Sequence, residues 1–488
     1  MLFVGFTTGP GVLRLVATMN PHPTPIRPLA LLFTLLATAS LSLRAADAAA
    51  SVPASPTPTA AAPARGPAAP ALKDADGRSL KMAARTGHIT NYYEEKIPPY
   101  TLPDPLKLAS GVPVTDAGTW FTFRRPEILN YYLTEVYGRV PASAPAATFE
   151  VASTDPQALN GTAIHQQIVG HFGGPDGPAV NIAMYLPAHA TGPVPLVLSI
   201  SFGFGGGGAP SPNPSLPGVD PTVAPPLPPG GRAPGFPEPV ADILAHGYGY
   251  AVFTYTQIEG DTLAGSVSKV RKLALRPGQD KPADDEWGTI SAWAWGLSRI
   301  MDYLETNPAV DAKRVALVGH SRLGKTVLWA GAADPRFAIV FSSQGGELGS
   351  SLGRRDFGET IDDMAQNYGY QFAGNLQKYV GHWNNLPVDT HMLISLIAPR
   401  PLLITGGTGD QWSDPHGEFL GEVAAGPVYR LVGAKDLGTT EWPKPETPLL
   451  SGDLAYYLHT GPHAITKEDW VVFLNFADKY WQAKPASN

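Results

Sequence analysis

Residues 315–332 read VALVGHSRLGKTVLWAGA. An apolar run leads to Ser321, and a stretch free of proline follows it. That order is a strand, a sharp turn and a helix, with a serine at the bend. The common form of such a turn is G-x-S-x-G, which presents a strained and exposed hydroxyl. Here the segment is Gly319-His320-Ser321-Arg322-Leu323-Gly324, so the second glycine arrives one residue late. Glycine is needed where the helix start crowds the strand before it, and Gly324 can serve that packing from the next position. A serine after a strand is otherwise an ordinary helix N-cap, so its neighbours must decide. Arg322 and Lys325 place two cations on the first helical turn, where the backbone dipole disfavours them.

Outward from this turn, strand-like and helix-like runs alternate. AIHQQIVGHF and VNIAMYLP read as early antiparallel strands. VPLVLSIS, GYAVFTYT, RVALVGHS, FAIVFSSQ and RPLLITGG are apolar runs expected of strands buried on both faces. PVYRLVG, residues 427–433, reads as one strand more. PVADILAHGY, TISAWAWGLSRIMDYLE and DWVVFLNFADKYW have helical apolar spacing. The pattern predicts an α/β chain with a mostly parallel, doubly wound sheet flanked by helices, a three-layer sandwich. Ligands of such sheets sit beyond the C-terminal strand ends.

The 488 residues carry 43% apolar side chains, enough for a large core, and a net charge of −7 without a long basic run. That balance argues against nucleic acid as a partner. With no cysteine, neither a disulfide nor a thiolate site can form. Residues 1–48 read as a leader with a secretory signal. Met19 is the expected start, Arg27 the positive flank, residues 29–43 the apolar stretch and Ala46-Asp47-Ala48 the cleavage site. That places the protein outside the cytoplasm, secreted or periplasmic in a bacterium, with no membrane anchor once the signal is removed. Residues 49–71 form an Ala/Pro-rich linker, and residues 72–488 a single catalytic domain acting as a monomer. SFGFGGGGAP lacks the G-K-[ST] ending of a phosphate loop. It opens a Pro/Gly-rich segment, residues 203–239, that reads as an insert at the edge of the site or a flexible surface excursion.

A serine hydroxyl needs a base, and the fold order is Ser, acid, His. His463 precedes the closing helix, where that base is expected; His459 is its near rival. Asp410 follows the strand RPLLITGG and a glycine turn, and Asp414 lies four residues on. The cluster of two Asp, a His and a Glu in DQWSDPHGEF has no recognised metal-ligand spacing. No metal and no cofactor is called for.

GHSRLGKT, LGRRDFGET, LPVDTHMLISLIAPRPL, GDQWSDPHGEF and GPHAITKEDW, in this order and with RRPEILNYYLTEVYGRVP upstream, resemble the glucuronoyl esterases of carbohydrate esterase family 15, bacterial branch. The resemblance spans nearly all of the chain after about Asn91. It implies an α/β-hydrolase fold and cleavage of esters of glucuronate or 4-O-methyl-glucuronate, as in lignin–carbohydrate linkages on glucuronoxylan. It implies Ser321 as nucleophile, His463 as base and Arg322 as oxyanion donor. Lys325, Glu359 and Trp412 then face the sugar. In many relatives a glutamate after the strand following the serine is the triad acid. Here SSQGGELGSSLGRR puts Gln344 at that place, and an amide cannot balance an imidazolium. The acid role then falls to Asp410, with Gln344 grouped with the substrate side. Glu347, nearby, aligns with a different position. Two other readings stand beside this one: another carbohydrate esterase such as an acetyl xylan esterase, or a carbohydrate-binding homologue weakened in catalysis. The pair Arg322 and Lys325 argues against the former, since an acetyl group offers the lysine nothing to hold.

Overall fold

The computed structural model describes residues 72–203 and 239–482. The expected leader and linker, and all but the ends of the Pro/Gly-rich segment, lie outside the described residues. Nine strands form one sheet in the order β1-β2-β3-β5-β4-β6-β7-β8-β9. They are β1 (Ala147–Gln157), β2 (Ala163–Phe172), β3 (Ala179–Pro187), β4 (Val194–Ser201), β5 (Gly249–Thr254), β6 (Val310–His320), β7 (Ile339–Ser343), β8 (Leu402–Gly407) and β9 (Leu454–His459). The first three pair antiparallel, and β3 joins β5 antiparallel. From β5 through β4 to β9 every pairing is parallel. All strands of that parallel part therefore end at one edge.

Alternation along the central strands builds two cores. Leu196, Leu198, Val315 and Leu317 point to one face, and Val197, Ala316 and Val318 to the other. The first face is covered by α2 (Thr289–Leu304), α3 (Arg322–Ala333), α4 (Thr390–Ile397) and α5 (Pro415–Leu431). The second is covered by α1 (Val240–Ala245) and α6 (Lys467–Trp481), through Ile243, Trp470, Phe473 and Trp481. Burial on both faces is why these strands are apolar runs rather than alternating ones. The expected α/β-hydrolase sandwich is present.

Two strand assignments need correction. PVYRLVG is the end of α5, not a strand, with Pro427 inside the helix and Val428 and Tyr429 wholly buried. A short apolar run reads alike in a buried helix and a buried strand, and the proline pointed away from helix. The strand that follows is LAYYLH, β9. Strand β1 was also unread: it is an edge strand, mostly exposed, and so carries no apolar signal.

Candidate active site

Three loops at the C-terminal edge of the sheet converge. The first is the turn between β6 and α3. Ser321 lies at φ 60° and ψ −130°, a conformation that costs an L-residue about 1–3 kcal/mol. Its surroundings hold it there. Its N–H donates to the Ser343 carbonyl at the end of β7 (2.8 Å). A Cβ on Gly319 would stand 2.2 Å from the Leu323 carbonyl oxygen, so only glycine lets the helix start this close. Gly324 meets a different wall: its Cβ would be 2.9 Å from the Ser343 carbonyl and 3.0 Å from Ser342 Oγ, both on the neighbouring strand β7. The Ser321 side chain makes no capping hydrogen bond, so the N-cap reading fails.

The loops after β8 and β9 are stitched to each other. Thr408 N–H donates to the His459 carbonyl (3.0 Å) and Gly409 N–H to the Gly461 carbonyl (2.7 Å). Gly461 N–H returns a bond to Thr408 Oγ1 (3.1 Å). These bonds bring Asp410 Oδ2 to 2.5 Å from His463 Nδ1. The carboxylate is buried, whereas the imidazole is 38% exposed. Its ring centroid stands 4.5 Å from that of His320, the residue directly before Ser321. Burial, then the neighbouring His463 and His459, push His320 well below the usual histidine range, so it stays neutral.

Arg322 is held from an unforeseen direction. Its Nη1 lies 2.5 Å from Asp261 Oδ2. Asp261 is fixed in turn by Tyr255 Oη (2.7 Å), Tyr370 Oη (3.1 Å) and Gln371 Nε2 (2.8 Å). Burial works against the guanidinium charge, but Asp261 outweighs it and raises the pKa. Nη2 and Nε are not used by that ion pair. No sequence motif announced Asp261, because its link to Arg322 is purely tertiary.

Lys325 Nζ donates to the Gly345 carbonyl (2.6 Å) and sits 3.6 Å from Glu359 Oε1. Glu359 N–H donates to the Trp412 carbonyl (2.8 Å), tying the two candidate sugar contacts together. Burial raises the Glu359 pKa, against the pull of Lys325 and Lys81. Lys81 was missed in the sequence: its Nζ lies 3.0 Å from the centroid of the Trp412 ring.

Gln344, grouped by its place in the sequence with the substrate side, contacts the end of β9 and the segment between it and His463. It sits at φ 50°, 1% exposed, with Nε2 at 3.4 Å from His459 Nε2 and 3.5 Å from the Pro462 carbonyl. Its amide therefore borders the loop that carries His463. The rival His459 has its own acid: Nδ1 lies 3.1 Å from Asp469 and Nε2 3.3 Å from the Pro462 carbonyl. Burial opposes its charge, but Asp469 prevails and raises its pKa. Asp414 is committed to Arg355 (2.8 Å) and to the first turn of α5. Glu347 packs against Gly353, and burial, then Asp389 and Glu359, hold it well above the usual carboxyl range. The cluster in DQWSDPHGEF is dispersed: His416 pairs with Glu94 (3.0 Å), and Glu418 takes the Ser350 hydroxyl (2.5 Å).

Comparison with known proteins identifies the family. Residues 282–433 match the family model described as glucuronyl esterase, fungi. Carbohydrate esterase MZ0003, from an unknown prokaryotic organism, is 38% identical over 401 residues, 80% of this chain and 92% of that protein. The solved glucuronoyl esterase from Solibacter usitatus is 42% identical, with a TM-score of 0.70, covering 79% of this chain and all of that one. A family 15 glucuronoyl esterase from Teredinibacter turnerae is 32% identical, with a TM-score of 0.66, over 84% of this chain and 92% of its own. The chain belongs to the glucuronoyl esterases of carbohydrate esterase family 15, and is a carboxylic ester hydrolase on the α/β-hydrolase fold.

Proposed function

We propose that this protein hydrolyses esters of glucuronate and 4-O-methyl-glucuronate, the lignin–carbohydrate linkages of glucuronoxylan, through an acyl-enzyme on Ser321. The observation that carries the reading is the buried Asp410 carboxylate at 2.5 Å from His463 Nδ1, with the imidazole beside the strained serine turn. Asp410 fixes the tautomer with the proton on Nδ1, which leaves Nε2 as the base. His463 takes the Ser321 proton as Oγ attacks the ester carbonyl. The tetrahedral oxyanion faces the N-terminus of α3 and the Arg322 guanidinium, held by Asp261 before substrate arrives. Collapse expels the alcohol, which receives its proton from His463. Water then attacks the acyl group while His463 takes its proton, and the uronate leaves.

Lys325 and Glu359 complement the sugar hydroxyls as donor and acceptor, and Trp412 offers a flat face. Gln344 serves the loop of His463 rather than the chemistry. One chain supplies every one of these groups, which suits a monomer. Among the described residues no helix is long and apolar enough to cross a membrane. Secretion rests on the leader reading alone.

The test is hydrolysis of benzyl glucuronate by the wild type and by Ser321→Ala, with acetylated xylan in parallel. The reading expects uronate turnover, lost by at least about 10⁴-fold in the variant, and little on acetyl groups. Equal rates from both proteins, or a preference for acetyl esters, would overturn it.

A further inference from the structure

Lys81 stands beside Trp412 and Glu359, the groups assigned to the sugar, yet has no part in the steps above. It belongs to an N-terminal arm, residues 72–93, that is far from the site in sequence. The arm is a small hairpin: Met82 and Ile89 bridge antiparallel, and Ala83 N–H bonds the His88 carbonyl (2.9 Å). The Lys81 carbonyl is pinned twice, by Thr90 N–H (3.0 Å) and Thr90 Oγ1 (3.2 Å). The hairpin is bolted to the body by His88 to Asp356 (2.7 Å) and Arg85 Nη1 to Gln377 (2.6 Å). Gly358 N–H, one residue before Glu359, bonds the Asn91 carbonyl at 2.9 Å. The stem of Lys81 therefore starts from a fixed backbone, beside the same strip of chain that carries Glu359.

The ammonium ends on the indole face of Trp412. Among the described residues its three N–H groups take neither a hydrogen bond nor an ion pair within 4.0 Å. Lys325, by contrast, gives one donor to the Gly345 carbonyl and sits 3.6 Å from Glu359. An indole face attracts a cation but does not satisfy its three donors. A part-buried ammonium with donors unspent, over an aromatic platform and next to a carboxylate–lysine pair, suits a ligand rich in hydroxyl oxygens.

We propose that Lys81 is a substrate-contacting residue that sets the preference for the uronosyl group, donating to its oxygens from above Trp412. The inference rests on the glucuronate reading of the site. The charged groups facing Lys81 are Glu359 and, on the helix Ile361–Asn367, Asp363. Burial lowers the Lys81 pKa, against the pull of these two carboxylates, to about 8. The contact is then at full strength below that pH and weakens above it.

Steady-state kinetics on methyl glucuronate, with p-nitrophenyl acetate as a control that has no sugar, test this. Lys81→Met keeps the stem and removes the donors. It should raise KM for the uronate ester about tenfold, the cost of losing one charged hydrogen bond, with kcat and acetate turnover unchanged. Wild-type KM should rise as pH passes about 8, whereas Lys81→Arg, charged throughout, keeps a low and flat KM. Unchanged KM in Lys81→Met overturns the proposal. So does equal loss on both esters, which marks a structural role. A wild type that neither cleaves methyl glucuronate nor binds glucuronate in calorimetry overturns the underlying reading as well, and the two failures are thus distinct.

Discussion

Asp410 and Arg322 carry the sharpest residue-scale consequences. Replacing the Asp410 carboxylate by an amide in Asp410→Asn removes the charge that balances the imidazolium and favours the wrong tautomer. We expect kcat to fall by about 10⁴-fold with KM little changed, read by steady-state rates on a uronate ester. With Arg322 as the proposed oxyanion donor, kcat should drop by about 10²–10³-fold in Arg322→Met. A near-normal rate in Asp410→Asn would mean that some other acid serves His463. Ser321, His463 and Asp410 could be picked out as candidates from the order of strand, turn and helix, and Lys325 and Glu359 from the family resemblance. Asp261 and Lys81 were not, since their partners Arg322 and Trp412 are 61 and 331 positions away and only the folded chain makes them neighbours. Gln344 shows the reverse case. Its place in the chain was legible, but not its positive φ or the contacts of its amide with His459 and Pro462.

Among elements, the β6–α3 turn is where packing and chemistry meet. Its late glycine faces β7 rather than the strand before it, so spacing alone foretold the need for a small residue but not the wall it meets. In Gly324→Ala the new methyl must displace the Ser343 carbonyl or Ser342. Overpacking of this kind costs about 1–3 kcal/mol. Calorimetry should show a lower Tm, and the uronate ester a lower kcat, because Ser343 also holds Ser321. An unchanged Tm would show that β7 yields freely. The parallel strands β4 to β8 were legible as continuous apolar runs bounded by turns, whereas β9 was not. Strand β1 was silent because it is exposed, and residues 427–433 misled because burial erases the period that separates helix from strand.

Among the described residues, the arm of residues 72–93 packs on the body of the sandwich, and one of its bolts should depend on pH. The hydrogen bond to Asp356 raises the His88 pKa, while burial works the other way. A histidine whose folded pKa exceeds its unfolded value of about 6.5 adds stability that is complete below that value. The contribution fades as pH rises through the raised folded pKa. Hydrogen exchange in residues 72–93 should therefore speed up from mildly acidic to alkaline pH, beyond the intrinsic trend. In His88→Gln that excess should vanish. Protection that is the same in both proteins at every pH would show that Arg85 and Asn91 hold the arm unaided. The sandwich itself was legible from the alternation of strands and helices, whereas the docking of the arm was not. Its segment is short, polar and without periodicity, and its contacts are isolated polar bonds and ring contacts to residues hundreds of positions on.

The central claim is that Ser321 becomes acylated by a uronate. Acid-quenched turnover of methyl glucuronate, followed by peptide mass spectrometry, tests it most directly. The account predicts a glucuronoyl adduct on the peptide that contains Ser321, absent from Ser321→Ala. An adduct on a different residue, or full turnover by Ser321→Ala, would contradict it.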